Sequence, residues 1–94
     1  MTGYVYILRC GDGSTYVGST RNLENRMAQH YSGRGGRYTS TRQPVTLVYS
    51  QEFDSVGEAY AHEKRIQGWS RAQREPLIEG DFDEIRRLSR KKRT

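Results

Sequence analysis

Runs of β-branched and aromatic residues predict a small antiparallel sheet. They occupy residues 4–8, 15–19 and 45–49. The first run has no polar interruption, which is typical of a strand covered on both faces. A glycine-rich turn signal at residues 11–14 joins the first two runs into a hairpin. Period two places Tyr4, Tyr6 and Leu8 on one face of the first strand and the intervening residues on the other.

Polar residues mark where two helices begin. Asn22 can cap a helix that runs to about Tyr31. Ser55 and Glu58 form a capping-box pattern, and the helix that follows is expected to end near Gly68. In the chain these two helices lie on either side of the third predicted strand.

The remaining segments complete the predicted fold. Ser70 with Gln73 predicts a short helix that ends near Pro76, and residues 83–93 predict a last helix. Residues 33–42 are rich in glycine and arginine without periodicity and are expected to form a loop. We therefore predict an α+β fold, a small three-stranded antiparallel sheet flanked by helices in the order β-β-α-β-α-α.

The chain is long enough for one domain, and its charge is unevenly distributed. Residues 1–80 are expected to form that domain, followed by a basic helix or tail at residues 81–94. The formal net charge is +5, made up of +4 over residues 1–50, −5 over residues 51–85 and +6 over residues 86–94. A solvated charged face would explain the tail alone, whereas a basic first half together with the tail favours a polyanionic partner.

Several classes of protein are excluded by missing patterns. No run of eighteen apolar residues predicts a membrane-spanning helix, and no charged segment before an apolar run predicts a signal peptide. The single cysteine, Cys10, cannot form an internal disulfide, so a reducing cytoplasm is expected. Zinc-binding, P-loop and serine-nucleophile motifs are also missing, and no small-molecule cofactor is expected.

A carboxylate interrupts the apolar stripe of one predicted helix. Apolar stripes at helical spacing comprise Leu23, Met27 and Tyr31 in the first helix and Val56, Ala59 and Tyr60 in the second. Glu63 takes the next inward position of the second stripe. An inward carboxylate is costly unless it is paired or bound to a metal. It could form an ion pair with an arginine at the edge of the core, or bind a hard cation such as Mg²⁺ or Mn²⁺.

Other polar and aromatic residues also allow two interpretations. Arg26 and His30 lie one turn apart beside the apolar stripe, either as a boundary arginine and a hydrogen-bonded histidine or as functional groups. Tyr6 and Tyr16 are either ordinary strand aromatics or groups that relay protons. Gly18 would mark a bulge or a close approach of the backbone. Together these side chains offer the parts for phosphodiester hydrolysis.

These motifs resemble those of the GIY-YIG nucleases. That family has two short tyrosine motifs on a hairpin, which here correspond to Tyr4-Val5-Tyr6 and, about ten residues later, Tyr16-Val17-Gly18. Its next helix carries an arginine and, one turn later, a histidine or tyrosine, which match Arg26 and His30. A later helix carries a metal-binding glutamate, which matches Glu63.

The resemblance covers about residues 3–78. The compact, single-domain form of the chain is similar to a stand-alone bacterial branch of the family, which is related to the nuclease half of structure-specific junction endonucleases. The first motif has Tyr4 where the family usually has glycine. Many members also have an asparagine after the glutamate, whereas the asparagines here are Asn22 and Asn25.

The resemblance implies metal-dependent hydrolysis of DNA. Glu63 would hold one Mg²⁺ or Mn²⁺, and Arg26 would contact the scissile phosphate. Tyr16 is the candidate general base, helped by Arg26, the metal and a hydrogen bond from Tyr6 or His30. Which of Tyr6, Tyr16 and His30 takes the proton stays open at this point.

The resemblance and the charge pattern together imply how DNA would be bound. Gly18 would let the backbone approach the phosphate, and the loop would add phosphate contacts and a stacking ring through Arg34, Arg37, Tyr38 and Arg42. A preference for single strands, flaps or branches, and a part in DNA repair or processing, are expected rather than sequence-specific cutting. The alternatives are a non-catalytic nucleic-acid-binding module and a protein whose tail recruits it to a repair complex.

Overall fold

Three strands and four helices form within residues 1–79, the part of the chain that a computed structural model describes. In chain order they are β1 (Gly3–Arg9), β2 (Thr15–Thr20), α1 (Leu23–Tyr31), α2 (Arg37–Ser40), β3 (Thr46–Phe53), α3 (Val56–Gln67) and α4 (Arg71–Glu79). The predicted helix at residues 83–93 and the predicted boundary after residue 80 lie outside the described residues.

The sheet is antiparallel, with strand order β2-β1-β3. β1 is therefore the central strand and is covered on both faces, as its continuous apolar run predicted. On one face a buried cluster packs against α1: Tyr6, Leu8, Cys10, Met27 and Val45. On the other face a second cluster packs against α3 and α4: Val5, Ile7, Val17, Ala59, Ile66 and Leu77. The predicted α+β fold is confirmed.

The helix starts follow the capping residues predicted from the sequence. The side-chain oxygen of Asn22 accepts a hydrogen bond of 3.0 Å from the backbone N–H of Asn25 at the start of α1. Ser55 accepts one of 3.1 Å from the backbone N–H of Glu58 at the start of α3, and Gly68 ends that helix. Each side chain satisfies a backbone donor that the first helical turn leaves unpaired.

Each of the two predicted apolar stripes includes one residue that is exposed in the structure. Tyr31 is 52% exposed and Tyr60 is 54% exposed. Eight residues rotate a helix about 80° beyond two full turns, so Tyr31 leaves the face that Leu23 begins. Tyr60 directly follows Ala59, and that single step turns it about 100° away from the buried face of α3.

Two further boundaries differ from the predictions. Residues 33–42, expected to be a loop, contain the short helix α2, which buries Thr39. The last described helix does not end at Pro76 but continues to Glu79. Continuing the helix brings Leu77, which is only 7% exposed, into the apolar cluster, and this burial offsets the hydrogen bond that Pro76 cannot donate.

Candidate active site

Four of the predicted site residues converge on the α1 side of the sheet. The Tyr6 hydroxyl lies 2.9 Å from Nε2 of His30 and accepts a hydrogen bond of 3.3 Å from Nε of Arg26. The Tyr16 ring centroid lies 6.3 Å from that of Tyr6 and 5.4 Å from that of His30. Two strand tyrosines and two helix side chains therefore form one continuous cluster.

The hairpin register produces this cluster and gives Gly18 a structural part in it. Tyr6 of β1 pairs with Gly18 of β2, so the two residues share one face of the sheet. A Cβ at Gly18 would lie 2.5 Å from the Tyr6 hydroxyl oxygen. That distance is too short for any side chain at this position unless Tyr6 moved. Gly18 is buried beneath the phenol. It makes room for Tyr6, and a phosphate contact by its backbone stays a prediction.

His30 is fully buried and neutral at physiological pH. Its Nδ1 lies 3.0 Å from the Thr39 hydroxyl of α2, on the side of the ring opposite Tyr6. A Cβ at Gly35 would overlap the imidazole, so glycine is needed for this close packing. Burial, and secondarily the positive charge of Arg26, lower the pKa of His30 to about 4.

Arg26 links the two tyrosines to the loop that follows α1. Besides its bond to Tyr6, it donates to Oε1 of Gln29 at 2.8 Å and to the Gly35 carbonyl at 2.7 Å. These bonds use three of the five N–H donors of a guanidinium, which leaves two that face Tyr16 or a ligand. The bond to Tyr6 is the largest cause that raises the pKa of Arg26, and Tyr16 adds to it.

Burial raises the pKa of the Tyr6 phenol, whereas it lowers the pKa of His30. The hydrogen bond from Arg26 acts against this increase and lowers the pKa of Tyr6. The negative charge of Glu63 raises the pKa of Tyr6 further, so the carboxylate acts electrostatically on the cluster. Tyr6 is only 1% exposed. It is therefore held in the protonated form inside the cluster.

Glu63 approaches the hairpin from the other face of the sheet. Its Oε1 accepts a hydrogen bond of 2.5 Å from the Ser19 hydroxyl, and its Oε2 accepts one of 2.7 Å from the Gln67 amide. The Lys64 ammonium lies 3.8 Å from the carboxylate. Within residues 1–79 the partners of Glu63 are two neutral donors and an exposed lysine rather than the arginine that one interpretation of the sequence expected.

The free edge of β2 brings the two faces together. Ser19, which holds Glu63, directly follows Gly18, which lies beneath Tyr6, and β2 is an edge strand. A cavity of about 290 Å³ wraps this edge, lined by Thr15, Tyr16, Val17, Tyr38, Gln67 and Arg74. It therefore exposes both Tyr16 and the amide that contacts Glu63 to the same solvent-filled space.

The predicted nucleic-acid-binding residues fall into two groups. Arg34 and Arg37 are exposed. Tyr38 stacks with Tyr16 at a centroid distance of 6.0 Å, and the Arg42 guanidinium lies 3.8 Å from the centroid of the Tyr38 ring. Arg42 also forms an ion pair of 3.2 Å with Asp12. Tyr38 and Arg42 are thus already engaged within the protein, whereas the other two arginines project into solvent.

Comparison with known proteins identifies the family. The GIY-YIG catalytic domain matches residues 2–76. The chain belongs to the GIY-YIG family. It is 49% identical over 76 residues to a UPF0213 protein of Staphylococcus haemolyticus, covering 81% of this chain and 93% of that protein. A UPF0213 protein of Halobacterium salinarum is 46% identical over 75 residues, covering 80% of this chain and 97% of that protein.

A solved structure extends the similarity to the fold. The solution NMR structure of a UPF0213 protein from Bacillus halodurans is 42% identical and has a TM-score of 0.56. The match covers 84% of each chain. GIY-YIG membership places this chain in a family of nucleases that generally use a divalent metal. No helix in residues 1–79 is long and apolar enough to cross a membrane.

A GIY-YIG domain has to be compatible with a divalent cation, and among residues 1–79 Glu63 has the chemistry to hold one. Within residues 1–79, no three His, Cys, Asp or Glu side chains cluster as a preformed metal cage. The Glu63 side chain is 12% exposed, and its two hydrogen bonds leave oxygen lone pairs free. One carboxylate suits Mg²⁺, which keeps several waters and completes its shell with phosphate oxygens.

Sequence reasoning missed several residues that surround the candidate site. They are Ser19 and Gln67 around Glu63, Thr39 and Gln43 around His30, and Arg74 at the cavity. Gln67 could have been found, because it lies one helical turn after Glu63 on the same face. Each of the other four makes a contact with a different element of the fold, from nine residues away for Thr39 and His30 to 59 for Arg74 and Thr15, and no periodicity points to them.

Proposed function

We propose that this chain is a metal-dependent endonuclease that hydrolyses DNA phosphodiester bonds, with Tyr6, Tyr16, Arg26, His30 and Glu63 forming its active site. One observation carries the proposal. The hydrogen-bonded cluster of Tyr6, Arg26 and His30 meets Tyr16 beside a cavity that is also lined by Gln67, a hydrogen-bond partner of Glu63. This arrangement combines the Arg26 guanidinium, the Glu63 carboxylate and the Tyr16 phenol at one edge of the sheet.

Tyr16 is the group best placed to take a proton from water. Tyr6 and His30 are 1% and 0% exposed, and their polar atoms are engaged with each other and with neighbouring side chains. Tyr16 is partly exposed and lines the cavity. Geometry thus favours Tyr16 as general base, with Tyr6 and His30 as its support.

Arg26 would bind the scissile phosphate and the charge that develops on it. Its remaining N–H donors lie on a guanidinium whose position is fixed by three hydrogen bonds. A donor fixed before the reaction stabilises the transition state without reorganisation, which is the main source of electrostatic catalysis. Partial burial strengthens that interaction because water does not screen it fully.

Glu63 would hold the divalent cation at the edge of β2. When bound there, Mg²⁺ or Mn²⁺ would supply positive charge to the phosphate and to the leaving oxygen. The Ser19 hydroxyl and the Gln67 amide orient the carboxylate and leave lone pairs directed away from them. Both hydrogen-bond donors are neutral, and the Lys64 ammonium 3.8 Å away is largely exposed, so the carboxylate keeps negative charge for the cation.

The surface beside Tyr16 supports binding of a strand rather than reading of a sequence. A second cavity of about 260 Å³ shares Thr15, Tyr38 and Arg74 with the first, so a continuous groove follows the β2 edge. Arg34 and Arg37 add exposed positive charge. We propose single-stranded, flapped or branched DNA as the substrate, in repair or processing, since the basic groups contact phosphates irrespective of sequence.

A cleavage assay tests the function directly. The parent, Glu63→Gln and Glu58→Gln proteins are incubated with labelled single-stranded, duplex and branched DNA, with Mg²⁺, with Mn²⁺ or with chelator. The parent and Glu58→Gln, whose carboxylate is exposed on the same helix, should cut when a metal is present. Glu63→Gln should bind DNA without cutting it.

Two results would contradict the proposal. Cleavage by Glu63→Gln at the parent's rate would remove Glu63 from the metal site. A parent protein that shifts the mobility of DNA but never cuts any of the three shapes would instead indicate a non-catalytic binding module.

A further inference from the structure

A chain of hydrogen bonds runs from Arg26 through the buried imidazole to α2. Nε of Arg26 donates to the Tyr6 hydroxyl, which lies 2.9 Å from Nε2 of His30. On the other side of the ring, Nδ1 lies 3.0 Å from the Thr39 hydroxyl, which lies 3.5 Å from the Gly36 carbonyl. The guanidinium can only donate and the carbonyl can only accept, so the two ends of the chain have a fixed direction.

Only one tautomer of His30 satisfies every link of this chain. With its hydrogen on Nδ1, the ring donates to Thr39 and accepts from Tyr6, and Thr39 donates to Gly36. With its hydrogen on Nε2, the Tyr6 oxygen would receive hydrogens from both His30 and Arg26. The hydrogen of Tyr6 itself would then have no acceptor among the described residues. A buried, unpaired hydroxyl donor is costly, so the first arrangement is favoured.

We propose that Thr39 is a positioning residue of the site: it accepts the Nδ1 hydrogen of His30 and thereby directs the Tyr6 hydroxyl toward Nε2. The Tyr6 oxygen then keeps its lone pairs for Nε of Arg26. Thr39 therefore acts on the phosphate-binding guanidinium through two intervening side chains. The catalytic part of this inference rests on the proposed nuclease function, whereas the tautomer does not.

The surroundings of Thr39 are built to hold its hydroxyl in place. The residue is 1% exposed although threonine is polar, and it lies in a helix of four residues, Arg37–Ser40. The side-chain amide of Gln43 donates to the carbonyls of both His30 and Thr39, at 2.9 and 3.0 Å. Gln43 thus connects α2 to the C-terminal end of α1, which carries His30.

The tautomer can be measured on the intact protein by NMR. Long-range proton–nitrogen correlation of the His30 ring in ¹⁵N-labelled parent protein distinguishes a nitrogen that carries hydrogen from a bare one. We expect hydrogen on Nδ1 and a bare Nε2 at neutral pH. Hydrogen on Nε2 would overturn the inference, whatever the protein's activity on DNA.

Substitution of Thr39 tests the consequence for catalysis. Thr39→Val keeps the shape and removes the acceptor, so hydrogen should move toward Nε2 and kcat should fall roughly tenfold, the usual scale for one lost hydrogen bond. Thr39→Ser keeps the hydroxyl and should restore both the ring-nitrogen pattern and kcat. Thr46→Val, an exposed position on β3, is the matched control and should behave as the parent.

The possible outcomes separate the two proposals. A Thr39→Val protein with the parent's ring-nitrogen pattern and kcat would overturn the positioning role. If the parent cuts no DNA, the nuclease function fails, but the ring-nitrogen patterns of the parent and Thr39→Val still decide whether Thr39 sets the tautomer.

Discussion

The neutral, buried state of His30 has a cost that depends on pH. The ring is fully buried between Tyr6 and Thr39, and Arg26 lies nearby with a positive charge. A protonated imidazole would lose the acceptor at Nε2 and would face that charge without a compensating anion in its hydrogen bonds. The folded protein therefore resists protonation of His30 more strongly than the unfolded chain does.

This difference predicts a loss of stability in mild acid. The pKa of His30 is about 4 when folded, against about 6.5 when unfolded, so the unfolded state binds more protons between these values. Stability contributed by the neutral ring should be complete above pH 6.5 and should decline as the pH falls toward 4, by roughly 2 kcal/mol. Urea unfolding at pH 7.5 and 4.5 measures it. The decline should be smaller in His30→Gln, and an equal decline would contradict the shifted pKa.

Arg26 is the residue whose loss should most affect the rate. Removing its guanidinium in Arg26→Ala should lower kcat by roughly 10²–10³-fold, the scale seen when one transition-state donor is removed. Arg26→Lys keeps a positive charge but cannot reproduce the three-way hydrogen bonding to Tyr6, Gln29 and Gly35, so it should also be impaired.

Arg21→Ala provides the control for charge alone, because Arg21 is exposed just before α1. It should cut DNA at close to the parent's rate. Single-turnover cleavage under saturating metal gives the comparison, and an Arg26→Ala protein as fast as Arg21→Ala would exclude Arg26 from the site.

At the scale of the elements, local signals carried most of the prediction. The caps at Asn22 and Ser55 and the stop at Gly68 depend on residues within one helical turn, and the hairpin depends on two strands joined by a short turn, so all of them can be predicted from sequence. The hairpin register also predicts that Tyr6 and Tyr16 lie on one face, two positions apart across the strands.

What sequence could not predict depends on contacts between distant segments. α2 has only four residues, too few to show an apolar period, and Thr39 is its one buried side chain, in contact with His30. Glu63 was predicted to face inward, and it does, yet its actual partners lie on β2 and one turn along α3 rather than on an arginine. Choosing among polar partners requires the three-dimensional packing of helix on sheet.

Packing between α1 and the following loop should make Gly35 intolerant of any side chain. A Cβ there would overlap the His30 ring and approach its Cα to 2.8 Å, so Gly35→Ala should destabilise the protein by about 1–3 kcal/mol and reduce cleavage. Gly57→Ala in the first turn of α3 is the control: its nearest neighbour would be 3.9 Å away, and alanine favours helix.

Thermal unfolding of both variants checks this prediction. Gly57→Ala should unfold at or above the parent's temperature and Gly35→Ala several degrees below it. Equal melting temperatures would mean that the loop can move away from His30 at little cost.

At the scale of the whole molecule, the site depends on β2 being an edge strand. The tyrosine cluster lies on the α1 face of the sheet and Glu63 on the α3 face, and within residues 1–79 no strand pairs with the outer edge of β2, so one ligand can reach both there. The groove along this edge runs past Tyr16 and Arg74. A phosphate at the edge could therefore contact Arg26 from one side and a Glu63-bound cation from the other.

The distribution of charge predicts how binding responds to salt. Binding that releases counterions weakens as salt rises, with a slope for single strands of about −0.7 per phosphate neutralised. Measured in chelator, so that nothing is cut, affinity for a labelled single strand should fall steeply with salt. Arg34 and Arg37 are exposed beside the cluster, and replacing both by alanine should reduce the slope by roughly 1.4.

The same measurement distinguishes this surface from the basic residues at 86–94, which carry six positive charges. Arg65→Ala removes an exposed cation from α3, away from the groove, and should leave the slope nearly unchanged.

Deleting residues 86–94 should weaken affinity for all DNA shapes equally, since a charged tail contacts phosphates without regard to geometry. Loss of the Arg34 and Arg37 cations should instead weaken cleavage more than this deletion does, because the two arginines flank Gly35, whose carbonyl accepts a hydrogen bond from Arg26. If the double alanine variant keeps the parent's slope and rate, the strand must approach the β2 edge from the side of Arg74.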